Sequence, residues 1–181
     1  PGNDYNQSQA QHPDTKSTLW CPQVDQLTAL GIGMNPTGDT LHSIEHRLAA
    51  AVKHFWARKR QLLCNKIPVN MRIKRFYQTV GRTLLWGAGG WTMTSYLAAR
   101  LESFELSYLR RILGIRRSAD ESFIDYLKRS ASRIRRIIHS LEIPSLVQQV
   151  FSLMHGWSGH VARLDSGEVM ARALNWKGVS W

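Results

Sequence analysis

Residues 94–114 contain the start, the apolar face and the end of one amphipathic helix, and this stretch constrains the fold more than any other. Thr94 is the predicted N-cap, since its hydroxyl can accept a hydrogen bond from an amide of the first turn. Arg110 and Arg111 lie in the last turn, where the helix dipole favours cations, and Gly114 is the residue expected to end the helix. The apolar side chains recur at helical spacing, at Leu97, Leu101, Phe104, Tyr108 and Ile112.

Two more helices are predicted before this one, followed by a glycine-rich turn at residues 87–90. The first begins at Asp39 or Thr40 and runs to about Cys64. Pro68 suits the first turn of the second helix, where a missing amide costs little. The apolar stripe of the first helix consists of Leu41, Ile44, Leu48, Val52, Phe55 and Leu62. That of the second consists of Val69, Ile73, Phe76, Tyr77, Val80 and Leu84. These two stripes are expected to pack against each other and leave a basic outer surface.

A fourth helix is predicted from a capping box, in which Ser118 caps the first turn and Glu121 reaches back to the Ser118 amide. Pro144 closes this helix. Its apolar stripe consists of Phe123, Leu127, Ile134, Ile138 and Leu141.

Ser145 is the predicted start of a fifth helix, which Gly156 and Gly159 are expected to interrupt. A last short amphipathic segment is predicted at residues 168–176. The fold class that follows is mainly α, a bundle of about five helices.

The N-terminal residues lack the periodicity of these helices. Residues 1–18 are polar and are predicted to form a disordered tail or linker. Residues 27–34 are compatible with a short β-hairpin near residue 30 or with an unstructured lead-in, and the sequence leaves both open. The chain opens on Pro1 rather than Met, and we expect it to be a fragment of a longer protein.

The charge is strongly basic and unevenly distributed. The chain of 181 residues has 24 Lys and Arg against 13 Asp and Glu, a net charge of +11. Between Glu45 and Glu102 there are eleven Lys and Arg residues and no acidic one. A solvated helix face usually mixes both signs, so this pattern favours contact with a polyanion such as nucleic acid. A basic surface that serves solubility is the simpler alternative.

Several kinds of chemistry find little support in the sequence. Two cysteines provide neither a disulfide framework nor a zinc pattern. His42 and His46 have the spacing of a helical metal pair, but no third ligand is evident. Ser158 and His160 lack the nucleophile elbow of a hydrolase. Polymerase chemistry needs carboxylates that hold two metal ions, and no Asp-Asp pair occurs.

Three blocks of the sequence resemble the region after the palm in reverse transcriptases of non-LTR (LINE-type) retrotransposons. The central block has Leu-Trp-Gly at 85–87, Gly-Trp-Thr-Met-Thr at 90–94 and Leu-Arg-Arg-Ile-Leu-Gly-Ile at 109–115. A later block, Trp-Ser-Gly-His-Val-Ala-Arg-Leu, occupies 157–164. The earlier block has Leu-Gly at 30–31 and Gly-Asp-Thr at 38–40. Gly90 and Trp86 depart from the glutamate and tyrosine that the family frequently has there.

The resemblance implies a division of the chain. Residues 19–38 correspond to the end of a palm-like segment, 39–117 to a helical thumb-like region and 118–181 to a post-thumb helical region. The catalytic aspartates and the Mg²⁺ that they bind would belong to a palm that precedes Pro1, so this chain alone is expected to be inactive as an RNA-directed DNA polymerase. The implied partners are an RNA/DNA hybrid or duplex and the missing palm, with no membrane and no cofactor of its own. A nuclear or cytoplasmic location is expected.

The thumb of a reverse transcriptase grips the template–primer duplex, which the resemblance implies for the basic helices here. Trp86, Trp91, Tyr96 and Trp157 could stack on bases, but core packing is the favoured interpretation. The alternative function is a non-catalytic basic relic of a retroelement that acts through protein–protein contacts. The predicted nucleic-acid-binding residues are Arg58, Lys59, Arg60, Lys66, Arg72, Lys74, Arg75, Arg82, Arg110, Arg111, Arg116 and Arg117.

Overall fold

The computed structural model describes residues 40–164 and four short strand segments before them. Its contacts divide the chain into two compact units, Pro1–His46 and Arg47–Trp181. The predicted tail at residues 1–18 lies outside the described residues except for the strand segment Gln9–Ala10. The predicted amphipathic segment at 168–176 also lies outside them. The described residues are mainly helical, as the sequence predicts.

The strand segments form two antiparallel pairs in the first unit. Strand β1 (Gln9–Ala10) pairs with β2 (Leu19–Trp20), and Gln9 is opposite Trp20. Strand β3 (Leu27–Ala29) pairs with β4 (Ile32–Met34), where a hairpin was one of the two sequence-based alternatives.

The helices follow in the order α1 (Thr40–Ala57), α2 (Lys59–Leu62), α3 (Val69–Phe76), α4 (Arg82–Leu84), α5 (Ser95–Leu113), α6 (Phe123–Ser140) and α7 (Leu146–Val161). A π-helical turn at Tyr77–Gly81 joins α3 to α4, and a 3₁₀ turn at Ala88–Gly90 precedes α5. The border between the two compact units falls within α1.

Helix α5 has the start, the buried face and the end that the sequence predicts. The Thr94 hydroxyl accepts a hydrogen bond from the Leu97 amide at 3.3 Å. All five predicted stripe residues of α5 are buried. Gly114 ends the helix with a left-handed φ of 64°. The Ile115 amide donates to the Arg110 carbonyl and the Gly114 amide to the Arg111 carbonyl, which is the Schellman pattern of hydrogen bonds.

The two glycines Gly114 and Gly156 should respond to alanine in opposite directions. A Cβ at either position meets nothing within 4 Å, so sterically both accept alanine. Gly114→Ala should destabilise the fold by about 1–2 kcal/mol, because its left-handed φ is unfavourable for an L-residue. Gly156→Ala should stabilise it by roughly 1 kcal/mol, because Gly156 lies inside α7. Urea unfolding followed by circular dichroism measures both, and a shift of the same sign in both variants would contradict this account.

The first predicted helix is broken rather than continuous. It ends at Ala57, Arg58 has a non-helical backbone conformation, and the short α2 resumes at Lys59. Lys59 falls within the predicted apolar stripe, and the break leaves it exposed while Leu62 stays buried. The exposed Lys59 ammonium thus avoids the cost of burial.

Two other helix boundaries also differ from the prediction. Helix α6 begins at Phe123, and its N-cap is Ser122, whose hydroxyl accepts from the Asp125 amide at 3.1 Å. The predicted box at Ser118 is a turn instead, with the Glu121 carboxylate 3.4 Å from the Ser118 amide. Helix α7 begins at Leu146, directly after the predicted Ser145, and continues through both of its glycines to Val161. A single glycine costs a helix only about 1 kcal/mol, too little to interrupt one that is packed.

The core of the second unit contains a cluster of aromatic rings. Phe55 of α1 lies 6.5 Å from Phe76 of α3 and 4.5 Å from Tyr108 of α5, measured between ring centroids. Phe55 and Phe76 are completely buried. The apolar stripes of α1, α3 and α5 therefore meet, which fixes the ends of these helices relative to one another.

Candidate nucleic-acid interface

A basic groove lies where the C-terminal end of α5 meets the end of α1, the segment after α2 and the start of α6. Its volume is about 570 Å³. It is lined by Trp56, Leu63, Ser107, Arg110, Arg111, Gly114, Ile115, Arg116, Phe123, Tyr126 and Leu127. Three of these residues are arginines and none is acidic, so the groove has the charge of an anion-binding surface.

Two exposed aromatic side chains form part of the wall of the basic groove. Trp56 is 46% exposed and Phe123 is 59% exposed, whereas the neighbouring Phe55 and Ile115 are buried. The Trp56 ring meets the buried Phe55 ring almost perpendicularly, at 5.4 Å between centroids. The Phe123 ring lies 6.4 Å from that of Tyr126. Both exposed rings are thus held by neighbours of the same helix and present apolar surface beside the arginines.

Hydrogen bonds and ring contacts hold the arginines of the groove. The Arg110 Nε donates to the Ser130 hydroxyl at 2.7 Å, and its guanidinium lies 5.8 Å from the Tyr126 ring centroid. The Arg111 Nη1 donates to the Ser107 hydroxyl at 2.9 Å. An arginine has five N–H donors, so one such bond orients the guanidinium while it retains the capacity to bind a phosphate.

The loop that carries Arg116 and Arg117 is fastened by an ion pair. The Arg129 guanidinium contacts the Glu121 carboxylate at 2.6 Å and also donates to the Arg116 carbonyl at 3.2 Å. The hydrogen bonds from Arg129 hold the pKa of Glu121 below its usual range. This acidic side chain is therefore neutralised by its partner, and Arg116 and Arg117 against the exposed Asp120 leave the loop a net charge of +1.

A second groove continues the positive surface along α5 and α6. It has a volume of about 610 Å³, shares Arg110 and Leu127 with the basic groove, and is also lined by Lys128 and Arg135. The Arg135 guanidinium pairs with the Glu102 carboxylate at 2.6 Å, which reduces the positive charge at that end. The cationic surface is thus strongest toward the C-terminal end of α5.

The structure brings together only part of the predicted set of binding residues. Arg110, Arg111 and Arg116 line the basic groove, and the exposed Arg117 follows next in the chain. The segment between α1 and α3 contains Arg58, Lys59, Arg60 and Lys66, and Leu63 of the same segment lines the groove. On α3 and α4, Lys74 and Arg82 are exposed and Arg75 is half-buried.

The prediction that Arg72 lies on the basic outer surface is wrong. Arg72 is only 8% exposed, and its Nε donates to the Ile67 carbonyl at 3.0 Å. Its Nη1 donates to the carbonyl of Ile112 at 2.7 Å, in the last turn of α5 where carbonyls lack helical partners. Arg47 of α1 is likewise buried and donates to the Thr83 carbonyl, and burial lowers its pKa. Both side chains link helices.

Replacing Arg72 with methionine should therefore destabilise the fold rather than weaken binding alone. The substitution keeps much of the aliphatic length but leaves the Ile67 and Ile112 carbonyls without their donor, at a cost of about 1–3 kcal/mol. Lys74→Met is the matched control, because Lys74 is exposed on the same helix and should shift stability by less than about 0.5 kcal/mol. Equal urea midpoints for the two variants would show that the Arg72 bonds are unimportant.

Several aromatic residues that were expected in the core are exposed. Core packing was the favoured interpretation for four of them, but only Trp91 is buried, whereas Trp86 is 56% and Tyr96 61% exposed. Trp157 is 39% exposed and packs its Cβ close to Gly89. Phe123 was placed in the buried stripe of the fourth helix, and it lies in the groove wall instead.

A buried polar cluster, which the sequence does not predict, joins the π-helical turn after α3 to α5 and α7. The Tyr77 hydroxyl donates to Glu105 Oε1 at 2.5 Å, and the Leu146 amide donates to the same oxygen at 3.0 Å. Glu105 is only 3% exposed. Burial raises the pKa of the Glu105 carboxyl, against the lowering effect of these two hydrogen bonds, and burial followed by the charge of Glu105 raises the pKa of Tyr77. The cluster holds the N-terminus of α7 against α5.

Comparisons with protein-family models, with curated proteins and with solved structures found no match to this chain. Within the part that the structure describes, no group of three His, Cys, Asp or Glu side chains could hold a metal ion. No helix among the described residues is long and apolar enough to span a membrane. The interpretation of the basic groove therefore rests on its own geometry and charge.

Proposed function

We propose that the chain binds duplex nucleic acid through the basic groove and the cationic surface along α5 and α6. The single observation that carries this proposal is a groove that contains three arginines and exposed aromatic rings but no acidic side chain. Guanidinium groups bind phosphates through paired hydrogen bonds and release the counterions of the nucleic acid.

The charge of the whole chain supports the same proposal. A net charge of +11 attracts a polyanion from solution. The stretch between Glu45 and Glu102, which has no acidic residue, places part of this positive charge on the helices beside the groove. Contacts of this kind are made to the backbone and carry little sequence information. We therefore expect binding with strong salt dependence and weak sequence preference.

The sequence blocks suggest where such binding would operate. In a LINE-type reverse transcriptase, this chain would be the thumb and post-thumb region that grips an RNA/DNA hybrid behind the catalytic palm. An A-like hybrid is recognised mainly by its shape and backbone, which suits a surface of arginines. The proposal assigns the Mg²⁺ and the polymerase reaction to the palm and only binding to the residues described here.

A salt titration tests this proposal. Fluorescence anisotropy with a labelled RNA/DNA hybrid should give an affinity that falls steeply between about 50 and 200 mM salt, as expected when several phosphates are contacted. A hybrid of the same length but different sequence should bind almost equally. Failure to bind at 50 mM salt, by protein that circular dichroism shows to be helical, would contradict the proposal.

A protein–protein contact is the second candidate function, and a second surface favours it. Leu85, Trp86 and Leu153 line a groove of about 650 Å³ between the glycine-rich turn and α7, with Arg82 at its side. Leu153 is 44% exposed. Exposed apolar surface of this kind marks interaction sites in many proteins. Trp86→Ser would weaken a protein complex formed there but leave hybrid binding at the basic groove unchanged.

A further inference from the structure

We infer that the basic groove binds an unpaired nucleotide at the end of the duplex, with its base stacked on the aromatic wall and its phosphate at the arginines. This inference rests on the proposed function and specifies which part of the nucleic acid enters the groove. Nothing in the sequence blocks points to it. It follows from the placement of Trp56 and Phe123 beside Arg111 and Arg116.

The two exposed rings of the groove wall offer surfaces on which a base can stack. Trp56 and Phe123 are 46% and 59% exposed, although Phe55, the residue before Trp56, is completely buried. The Trp56 and Phe55 planes meet at 89°, so Phe55 does not stack flat on the indole. Exposed aromatic surface beside cations is typical of proteins that bind single strands, in which bases stack on such rings.

The size of the groove also suits a single nucleotide. Within a duplex the faces of the bases are covered by their neighbours, so only an unpaired or terminal base can offer its face to a side chain. A volume of about 570 Å³ lies in the range of about 300–1,000 Å³ that is typical of sites for single small ligands. The groove therefore has room for one nucleotide at the end of a duplex that lies against the groove and the adjoining cationic surface along α5 and α6.

The positive charge of the groove favours an occupant that carries a phosphate. Arg110, Arg111 and Arg116 lie within the same lining as the two rings, with no carboxylate among them. A nucleotide combines a flat apolar face with a phosphate, which matches both features at once. An apolar peptide would match the rings but would leave the three guanidinium groups without an anionic partner.

Abasic substrates test the inference directly. The affinity of the full chain is compared for a blunt RNA/DNA hybrid, the same hybrid with a four-nucleotide single-stranded overhang, and the same overhang without bases. The abasic overhang keeps the phosphates and removes stacking. We expect the hybrid with the intact overhang to bind about 5- to 100-fold more tightly than the hybrid with the abasic overhang. At high salt the affinity for the abasic overhang should be close to the affinity for the blunt hybrid.

Matched variants locate the effect in the groove. Trp56→Leu together with Phe123→Leu should abolish the preference for the intact overhang over the abasic one. Trp86→Leu with Tyr96→Leu is the control, since these rings are exposed but lie outside the basic groove. Equal affinity of the wild-type chain for intact and abasic overhangs would overturn the inference but not the proposed function. The measurement on the wild-type chain needs no variant, so its result stands even if a variant fails to fold. Absence of binding to every hybrid would overturn both.

Discussion

Neutralising Arg111 and Arg116 together should weaken hybrid binding roughly 10- to 100-fold at about 0.1 M salt. Both side chains line the basic groove and are exposed, so their loss removes charge without disturbing the core. Each phosphate contact adds about 0.9 to the slope of log affinity against log salt, so Arg111→Gln with Arg116→Gln should reduce that slope by about 2. Anisotropy over a salt series measures both quantities.

The matched control for this variant is Arg133→Gln with Arg136→Gln. These two arginines are exposed on α6 and do not line either groove of the positive surface, but the net charge of the control protein is identical. The control should retain most of the affinity and of the salt slope. Equal losses in the two variants would indicate that binding follows the net charge and would contradict a localised interface.

Replacing Glu105 with leucine should cost about 2–4 kcal/mol of unfolding free energy. The change leaves the Tyr77 hydroxyl and the Leu146 amide without their common acceptor in a buried site, and each such group costs about 1–3 kcal/mol. The desolvated carboxylate is also removed, which offsets part of this cost. The double variant with Tyr77→Phe should be less destabilised than the sum of the single variants, and a double-mutant cycle by urea unfolding measures the coupling. Strict additivity would show that the two residues do not interact.

The pH dependence of stability gives a separate test of the same cluster. The pKa of Glu105 is raised in the folded state above its ordinary value of 4.5, with burial as the largest cause and the nearby Glu102 charge adding to it. The stabilisation from the protonated carboxyl is therefore complete below pH 4.5 and is lost as the pH rises through the folded-state pKa. Glu105→Gln keeps an acceptor and cannot ionise, so it should gain stability relative to wild type as the pH rises from 4.5. A constant difference between the two proteins at all pH values would contradict a raised pKa.

The parts of the fold that depend on neighbouring residues in the sequence were predictable. Thr94, the apolar stripe and Gly114 all define α5 through contacts within a few residues, and the structure has the helix where they predict it. The start of α7 after Ser145 is local in the same way, because Ser145 and Gln148 form a capping box. Such signals are decided by backbone geometry and need no information about tertiary packing.

The parts that failed depend on distant contacts or on competition between similar signals. Ser118 and Ser122 each have an acidic residue three positions later, and this spacing alone does not reveal that Ser122 is the N-cap of α6. Arg72 was predicted to lie on the surface, because its hydrogen-bond acceptor, the Ile112 carbonyl, is 40 residues away in the chain and no local pattern reveals it. The Glu105 cluster was missed for the same reason, because its partners are 28 and 41 residues distant.

The sequence predicted which types of residue form the candidate site but not where in the fold they meet. The sequence indicated positive charge along the helices, and three of the twelve named residues line the basic groove. Phe123 could not be assigned to it, since its position in the predicted apolar stripe favours burial, and Trp56 lies outside the predicted stripe of the first helix with no local signal that places it at a groove. Exposure of an aromatic side chain at a helix end is a tertiary property.

Photo-cross-linking tests the central claim, that the basic groove is the nucleic-acid interface, most directly. A hybrid with 4-thiouridine in its RNA strand is bound at low salt and irradiated, and the adducts are located by mass spectrometry. This account predicts adducts at Trp56 and in the segment from Arg111 to Tyr126, with loss of these adducts in the Arg111→Gln and Arg116→Gln variant. Adducts confined to α3, α4 and α7, under conditions where the hybrid is bound, would contradict it.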